Sequence, residues 1–274
     1  MKYIATVTDG SFPSNSAVIQ APVREAFVIA KTAGYDGLQL TIRDTTDYDI
    51  DELQDLMRET GLVITALATG RIYSIDHMSL GAGDESVRQG AVERMNKIAA
   101  WSVPLGCPGL VIGAVRGNYS DAGSIDLYLS QLEKSVREIV AFCEPLKVPV
   151  ILEAIDRNES RAFCDPEETQ KFVEKIGSPY FYMYLDTMHL YREHYDVPRC
   201  LREFAPFAFQ IDISGEDRKP PMESAIDFRA AVRAIIASGY DGIINFEIPA
   251  EQEKAVSLKY IRKLVREEKN TNNS

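Results

Sequence analysis

The sequence predicts an α/β protein, a single (β/α)₈ TIM barrel, and three observations carry that expectation. Eight short β-branched runs alternate with longer stretches of helical period, the pattern of βα units that feed a parallel sheet. The chain has 274 residues, 45% of them hydrophobic, close to the ~250 residues of a barrel that folds as one unit. Four consecutive strand candidates also end in acidic residues. In a barrel such ends share one face.

The strand candidates in order are Tyr3–Val7, Gly37–Thr41, Val63–Ala68, Gly109–Gly113, Val148–Ala154, Phe181–Leu185, Ala208–Ile213 and Ile243–Ile248. A helical stretch follows each. After the fourth strand, Leu129, Leu132, Val136, Ile139, Val140 and Cys143 recur mostly at three- and four-residue steps, which predicts one buried stripe. Two helix-to-strand junctions echo each other, Ala33-Gly-Tyr-Asp-Gly37 and Ser238-Gly-Tyr-Asp-Gly242. The first glycine of each suits a left-handed helix cap. The barrel is expected over residues 1–266, with a polar tail, 267–274, that frays. A doubly wound sheet is the competing architecture, but the turn after the first strand reads Thr8-Asp9-Gly10-Ser11-Phe12 and carries no Gly-rich fingerprint.

A formal net charge of -11 repels phosphate backbones and anionic membranes. No nucleic acid or membrane partner is expected, and a small-molecule substrate is. Cys107, Cys143, Cys164 and Cys200 are far apart with no CxxC pairing, which argues against a thiolate metal site or a disulfide framework. The N-terminal apolar run is short and lacks a small-residue cleavage site, and no apolar run approaches the ~18 residues of a spanning helix. A cytoplasmic location is the expectation.

The acidic strand ends are Glu153 in Val150-Ile-Leu-Glu153, Asp186 in Tyr184-Leu-Asp186, Asp212 in Gln210-Ile-Asp212 and Glu247 in Asn245-Phe-Glu247. A lone acid at a strand end is ordinarily solvated. Four at equivalent ends would converge, and convergent carboxylates repel unless a cation sits among them. His189 follows Asp186 by three residues, and Glu153 leads into Asp156-Arg157-Asn158-Glu159. Arg43 and Arg116 follow the second and fourth strands, as candidates for a substrate anion or as loop charges. His77 and His194 read as surface residues, and Trp101 as core or interface.

These segments resemble the xylose isomerase-like barrels, particularly ketose 3-epimerases such as tagatose and allulose epimerases, and above all the 5-keto-L-gluconate epimerase type. Carrying the resemblance are Glu153-Ala-Ile-Asp-Arg-Asn-Glu159, Leu185-Asp-Thr-Met-His189, Asp212 followed six residues later by Arg218, and Gly239-Tyr-Asp-Gly-Ile-Ile-Asn-Phe-Glu247. Thr69-Gly70, Ser79-Leu80, the helix from Val87 to Ile98 and Val115-Arg116-Gly117 extend it over nearly the whole chain.

The resemblance implies one divalent metal on Glu153, Asp186, Asp212 and Glu247, with Glu159, His189 and Arg218 contacting substrate. Two departures stand out. The third ligand position is usually histidine, or glutamine in hydroxypyruvate isomerases, whereas the spacing to Arg218 selects Asp212 here, with Gln210 as the fallback. The usual Pro-Gly-x-Gly after the arginine reads Pro221-Met-Glu-Ser224. An all-carboxylate set favours a hard ion, Mn²⁺ or Mg²⁺ with Co²⁺ as a third candidate, over Zn²⁺.

The implied reaction is epimerisation of a keto-sugar or keto-sugar acid. One of Glu153 and Glu247 removes a proton beside the ketone and the other returns it, through an enediolate. Family enzymes are commonly dimers or tetramers, so a homo-oligomer is expected. The alternatives are an aldose-ketose isomerase or a keto-polyol dehydratase on the same residues and, from another class, a sugar-binding barrel without catalysis.

Overall fold

The computed structural model describes residues 1–11, 16–249 and 255–271. Phe12, at the end of the turn read after the first strand, and residues 272–274 of the expected tail lie outside them. The strands are β1 (Lys2–Thr8), β2 (Ile19–Gln20), β3 (Gly37–Thr41), β4 (Val63–Ala68), β5 (Gly109–Ile112), β6 (Val150–Glu153), β7 (Phe181–Asp186), β8 (Ala208–Ile213) and β9 (Ile243–Phe246). Their sheet order is β2-β1-β3-β4-β5-β6-β7-β8-β9, and β1 also pairs with β9. This is the strand order of the (β/α)₈ TIM barrel, as expected. The two-residue β2 adds a short parallel ladder to β1 that periodicity had not revealed.

The helices are α1 (Val23–Ala33), α2 (Ile50–Thr60), α3 (Arg71–Ser74), α4 (Glu85–Ser102), α5 (Ile125–Cys143), α6 (Pro166–Ile176), α7 (Thr187–Arg192), α8 (Val197–Phe204), α9 (Phe228–Ala237) and α10 (Val256–Thr271). Side chains that accept from early backbone N–H groups start many of them: Asp49 for α2, Asp84 for α4, Ser124 for α5 and Asp165 for α6. Such caps satisfy donors that the helix itself leaves unpaired. Among the described residues, no helix is long and apolar enough to cross a membrane.

The chain divides into two compact units, Met1–Gln39 with Tyr184–Ser274, and Leu40–Met183. In the first unit β9 lies between β1 and β8, both parallel to it. Ile4 and Asp212 are each in register with Asn245, and Ala5 and Ile213 with Phe246. That register carries Thr6 and Glu247 one step further along, side by side. Gly34 and Gly239, the first glycines of the echoed junctions, have φ of +90° and +79°, as the helix-cap reading predicts. Helix α10 runs through Thr271, so the segment expected to fray is helical that far. Glu268 there is buried and held by Arg233 at 3.0 Å.

In the second unit β5 lies between β4 and β6. Leu110, Val111 and Ile112 pair in register with Val150, Ile151 and Leu152. Extending the ladder one step sets Gly113 beside Glu153. All of β5 and β6 is buried, which explains their continuous apolar runs. On α5 the buried stripe contains Tyr128, Leu132, Val136, Ile139, Val140 and Cys143. Leu129, expected in that stripe, is exposed. Tyr128 takes its place because its hydroxyl finds an internal acceptor, the Gly117 carbonyl at 2.9 Å.

The second echoed junction is held by one hydroxyl. Tyr240 Oη accepts from the Ile243 amide at 2.8 Å and lies within hydrogen-bond reach of the Phe209 and Ile243 carbonyls. Tyr240→Phe leaves buried backbone groups short of a partner and is expected to lower unfolding stability by about 1–3 kcal/mol, read from urea denaturation. An unchanged midpoint would show that the ring alone holds the junction.

Candidate functional site

The functional side chains of the first unit come from strand ends. Successive strand side chains point to opposite faces, so Tyr184 shares a side with Asp186, Gln210 with Asp212 and Asn245 with Glu247. Asp186 and Asp212 are 0% exposed and Glu247 is 8% exposed. One oxygen from each of these three carboxylates lies within 4.8 Å of the others. The sequence-predicted acids of this unit are therefore brought together.

Asp186 has two roles. Its Oδ1 accepts from the Met188 amide at 2.7 Å and caps α7, while Oδ2 accepts from Arg218 Nη1 at 2.5 Å. His189, one turn into α7 and 2% exposed, places Nε2 3.9 Å from the same oxygen. Burial pushes the Asp186 carboxyl up, but the Arg218 guanidinium and His189 outweigh it and hold the group below its ordinary value.

Glu247 is held from both sides. Oε1 accepts from Gln39 Nε2 at 3.0 Å and Thr6 Oγ1 at 3.4 Å, and Oε2 pairs with Arg218 Nη2 at 3.1 Å. Burial raises its pKa and the Asp186 charge adds to that, against the pull of Arg218.

Asp212 stands in a layer of donors. Gln210 Nε2 reaches Oδ1 and Asn245 Nδ2 reaches Oδ2, each at 2.8 Å, and the Tyr184 hydroxyl also donates to Oδ2. Gln210, the fallback ligand, gives the same amide nitrogen to Gln39 Oε1 at 2.8 Å. The side-chain oxygens of Gln210 and Asn245 are buried without a partner.

Arg218 spans Asp186 and Glu247 from an unusual turn. Asp217 and Arg218 both have left-handed φ, 55° and 61°, a conformation that is sparsely populated for residues with a Cβ. The turn is closed by the Gly215 amide on the Lys219 carbonyl at 2.8 Å. Glu216 fastens it, accepting from Ser224 Oγ at 2.6 Å, the Ala225 amide at 2.9 Å and Lys219 Nζ at 3.1 Å. Ser224 stands in the segment that departs from Pro-Gly-x-Gly, so that departure supplies a bond to the turn bearing Arg218.

In the second unit Glu153 ends β6 at 9% exposure. The turn after it is organised by Asp156, whose Oδ1 accepts from the Asn158 amide at 2.9 Å. Glu159 is exposed. The reading of Arg116 as a group for a substrate anion is corrected: Arg116 is 0% exposed and donates to the backbone carbonyls of Ile112, Gly113, Glu153 and Ala162. Arg43 pairs with Asp76 at 3.6 Å. His77 and His194 are exposed, Trp101 is half-buried and the four cysteines form no disulfide.

Sequence reasoning missed Thr6, Gln39, Tyr184 and Asn245. A signal was there for two of them: Gln39 in Gly37-Leu-Gln-Leu-Thr41 and Asn245 in Ile243-Ile-Asn-Phe246 are polar residues inside apolar strands, where an unpaired polar group is costly.

The donor chemistry fits a divalent cation. Three buried carboxylates share one guanidinium, which pairs with Asp186 and Glu247. Oxygen donors crowded in this way suit a hard 2+ ion, and the two orphaned amide oxygens add acceptor capacity beside them.

The sequence pattern of the xylose isomerase-like TIM barrel matches residues 27–266, and the chain belongs to that family. An L-ribulose 3-epimerase from Mesorhizobium japonicum is 25% identical over 239 residues, covering 86% of this chain and 79% of that protein. A 3-dehydro-D-guloside 4-epimerase from Escherichia coli is 20% identical over 251 residues, covering 89% and 91%. The crystal structure of D-psicose 3-epimerase with D-tagatose from Clostridium cellulolyticum H10 superposes with a TM-score of 0.79 at 16% identity, over 97% of this chain and 99% of that one, a likeness of fold.

Hydrogen bonds hold Glu216 at about 2, against an ordinary 4.5, despite its partial burial. The folded pKa is the lower one, so its stabilisation is present above pH 4.5 and is lost as pH falls toward 2. The difference in unfolding free energy between the wild type and Glu216→Gln should narrow across that window in urea titrations. A pH-independent difference would remove Glu216 as the acid-sensitive fastener of the turn.

Proposed function

We propose that this protein is a divalent-metal-dependent epimerase of a keto-sugar or keto-sugar acid. It removes and returns a proton on the carbon beside the ketone. The observation that carries this reading is the buried trio Asp186, Asp212 and Glu247 with Arg218 bridging two of its members. Relatives named as ketose and keto-glycoside epimerases support the substrate class.

A bound divalent cation, Mn²⁺ or Mg²⁺ with Co²⁺ as a third candidate, supplies polarisation of the ketone and its neighbouring hydroxyl, which acidifies the intervening C–H. Asp186, Asp212 and Glu247 hold it from the first unit. Glu153 enters on its sequence position at a strand end and on the family resemblance, as a fourth oxygen ligand.

In the reaction one of Glu153 and Glu247 takes the proton as general base; the C–H electron pair becomes the C=C bond of an enediolate while the ketone π pair moves onto its oxygen. The other glutamate returns a proton to the opposite face as that oxygen pair re-forms the C=O bond, inverting the carbon. Reversal exchanges the two roles. Gln39 and Thr6 keep one oxygen of Glu247 in place while the other faces Arg218. Arg218 and His189 hold substrate oxygens next to the reacting carbon, and Glu159 orients a hydroxyl. The substrate is a small molecule, the location cytoplasmic and the working form a homo-oligomer, a dimer or tetramer.

The test is deuterium incorporation from D₂O, followed by NMR with Mn²⁺ present, across free ketohexoses, keto-acids and their phosphates. Metal-dependent exchange beside the ketone is expected, with Glu153→Gln and Glu247→Gln each slowing it by at least ~10²-fold. Full exchange in both variants would defeat the assignment.

A further inference from the structure

Arg116 is a fully buried cation whose hydrogen bonds run to main-chain oxygens. Nε donates to the Gly113 carbonyl at 3.0 Å, Nη1 to Ala162 at 2.9 Å, and Nη2 to Ile112 at 2.7 Å and to Glu153. Burying a guanidinium without a carboxylate on it is an expensive way to join two strands. What its acceptors share is their position. Ile112 ends β5 with Gly113 just beyond it, while Glu153 ends β6 and Ala162 closes the segment that runs on from it.

That segment carries both acidic residues assigned to chemistry in the second unit. With Arg116 on its two ends it is closed as a loop, and two further contacts hold its middle. Tyr128 Oη lies 2.9 Å from Ser160 Oγ, and Asn118 Nδ2 donates to the Glu159 carbonyl at 3.4 Å. The Glu153 side chain is fitted into the same framework. A Cβ on Gly113 would lie 2.6 Å from Glu153 Oε2, so the carboxylate occupies space left by the absent side chain. The guanidinium that grips Gly113 therefore also grips the strand end whose carboxylate uses that space.

We propose that Arg116 is a positioning residue: with Gly113 it sets the direction of the Glu153 carboxylate and the loop that presents Glu159. This rests on the proposed role of Glu153 in metal binding and proton transfer. The guanidinium has five donors in a rigid fork. Lysine keeps the charge but cannot bridge the four carbonyls.

The experiment uses the full chain and four variants: Arg116→Lys, Gly113→Ala, Glu153→Gln and the double variant Arg116→Lys with Glu153→Gln. Mn²⁺ affinity is read from the paramagnetic resonance of free Mn²⁺, and ketose exchange from NMR at saturating substrate, both on protein shown to be folded by thermal unfolding. Arg116→Lys should weaken Mn²⁺ about tenfold and slow exchange about 10²-fold, the size of effect that a displacement near 1 Å produces. In the Glu153→Gln background the same substitution should add less than about threefold, since residues acting through one group are not additive.

Gly113→Ala crowds the carboxylate and removes none of the Arg116 bonds. It should reproduce both losses, and it stands as the test if Arg116→Lys does not fold. Equal losses in both backgrounds, or wild-type values in Gly113→Ala, overturn the proposal. If wild type binds Mn²⁺ but exchanges no ketose, the epimerase reading falls and the Mn²⁺ cycle alone judges Arg116. If it does neither, both fall.

Discussion

Three carboxylates buried side by side cannot stand without compensation, and the first unit is organised around supplying it. Like charges about 4 Å apart repel by roughly 4 kcal/mol even at an effective dielectric of 20. Arg218 pairs with Asp186 and Glu247 directly, and Tyr184, Gln210 and Asn245 donate to Asp212. The cation is delivered by a turn with two left-handed residues, and such a turn persists only where its surroundings over-determine it. Glu216 and Ser224 supply part of that constraint.

The polar layer beside the acids answers the same need. Thr6, Gln39, Gln210 and Asn245 all lie on strands and are all buried, and their donors are directed at Asp212, Glu247 or one another. An aspartate at the position where the family resemblance implies histidine is thus matched by its neighbours. A carboxylate only accepts, and Tyr184, Gln210 and Asn245 all donate to it. A neutral imidazole would bring a donor of its own into a layer built of donors.

Much of the architecture was legible because it depends on local pattern. Gly37–Thr41, Val63–Ala68 and Ala208–Ile213 agree to the residue with the observed strands, since β-branched runs bounded by turn residues mark their own limits. The acids were legible because they interrupt apolar runs at equivalent places. The polar layer was not, since the meeting of Thr6 with Glu247 is fixed by a register between segments 241 residues apart. Arg116 was misread for a related reason: a loop arginine looks the same in sequence whether its partners are solvent or carbonyls contributed by residue 153. Leu129 and Tyr128 exchanged places because periodicity counts apolar surface and ignores where a hydroxyl can bond.

Asp186 closes the first turn of α7 and faces Arg218 with the same carboxylate, while His189 sits one turn further along that helix. Orientation of the imidazole is thereby slaved to the acid. Anyone redesigning this scaffold for a different substrate inherits a linked pair: an exchange at 186 that removes the capping oxygen also unfastens the helix that aims 189. The independent positions for altering selectivity are those outside that linkage.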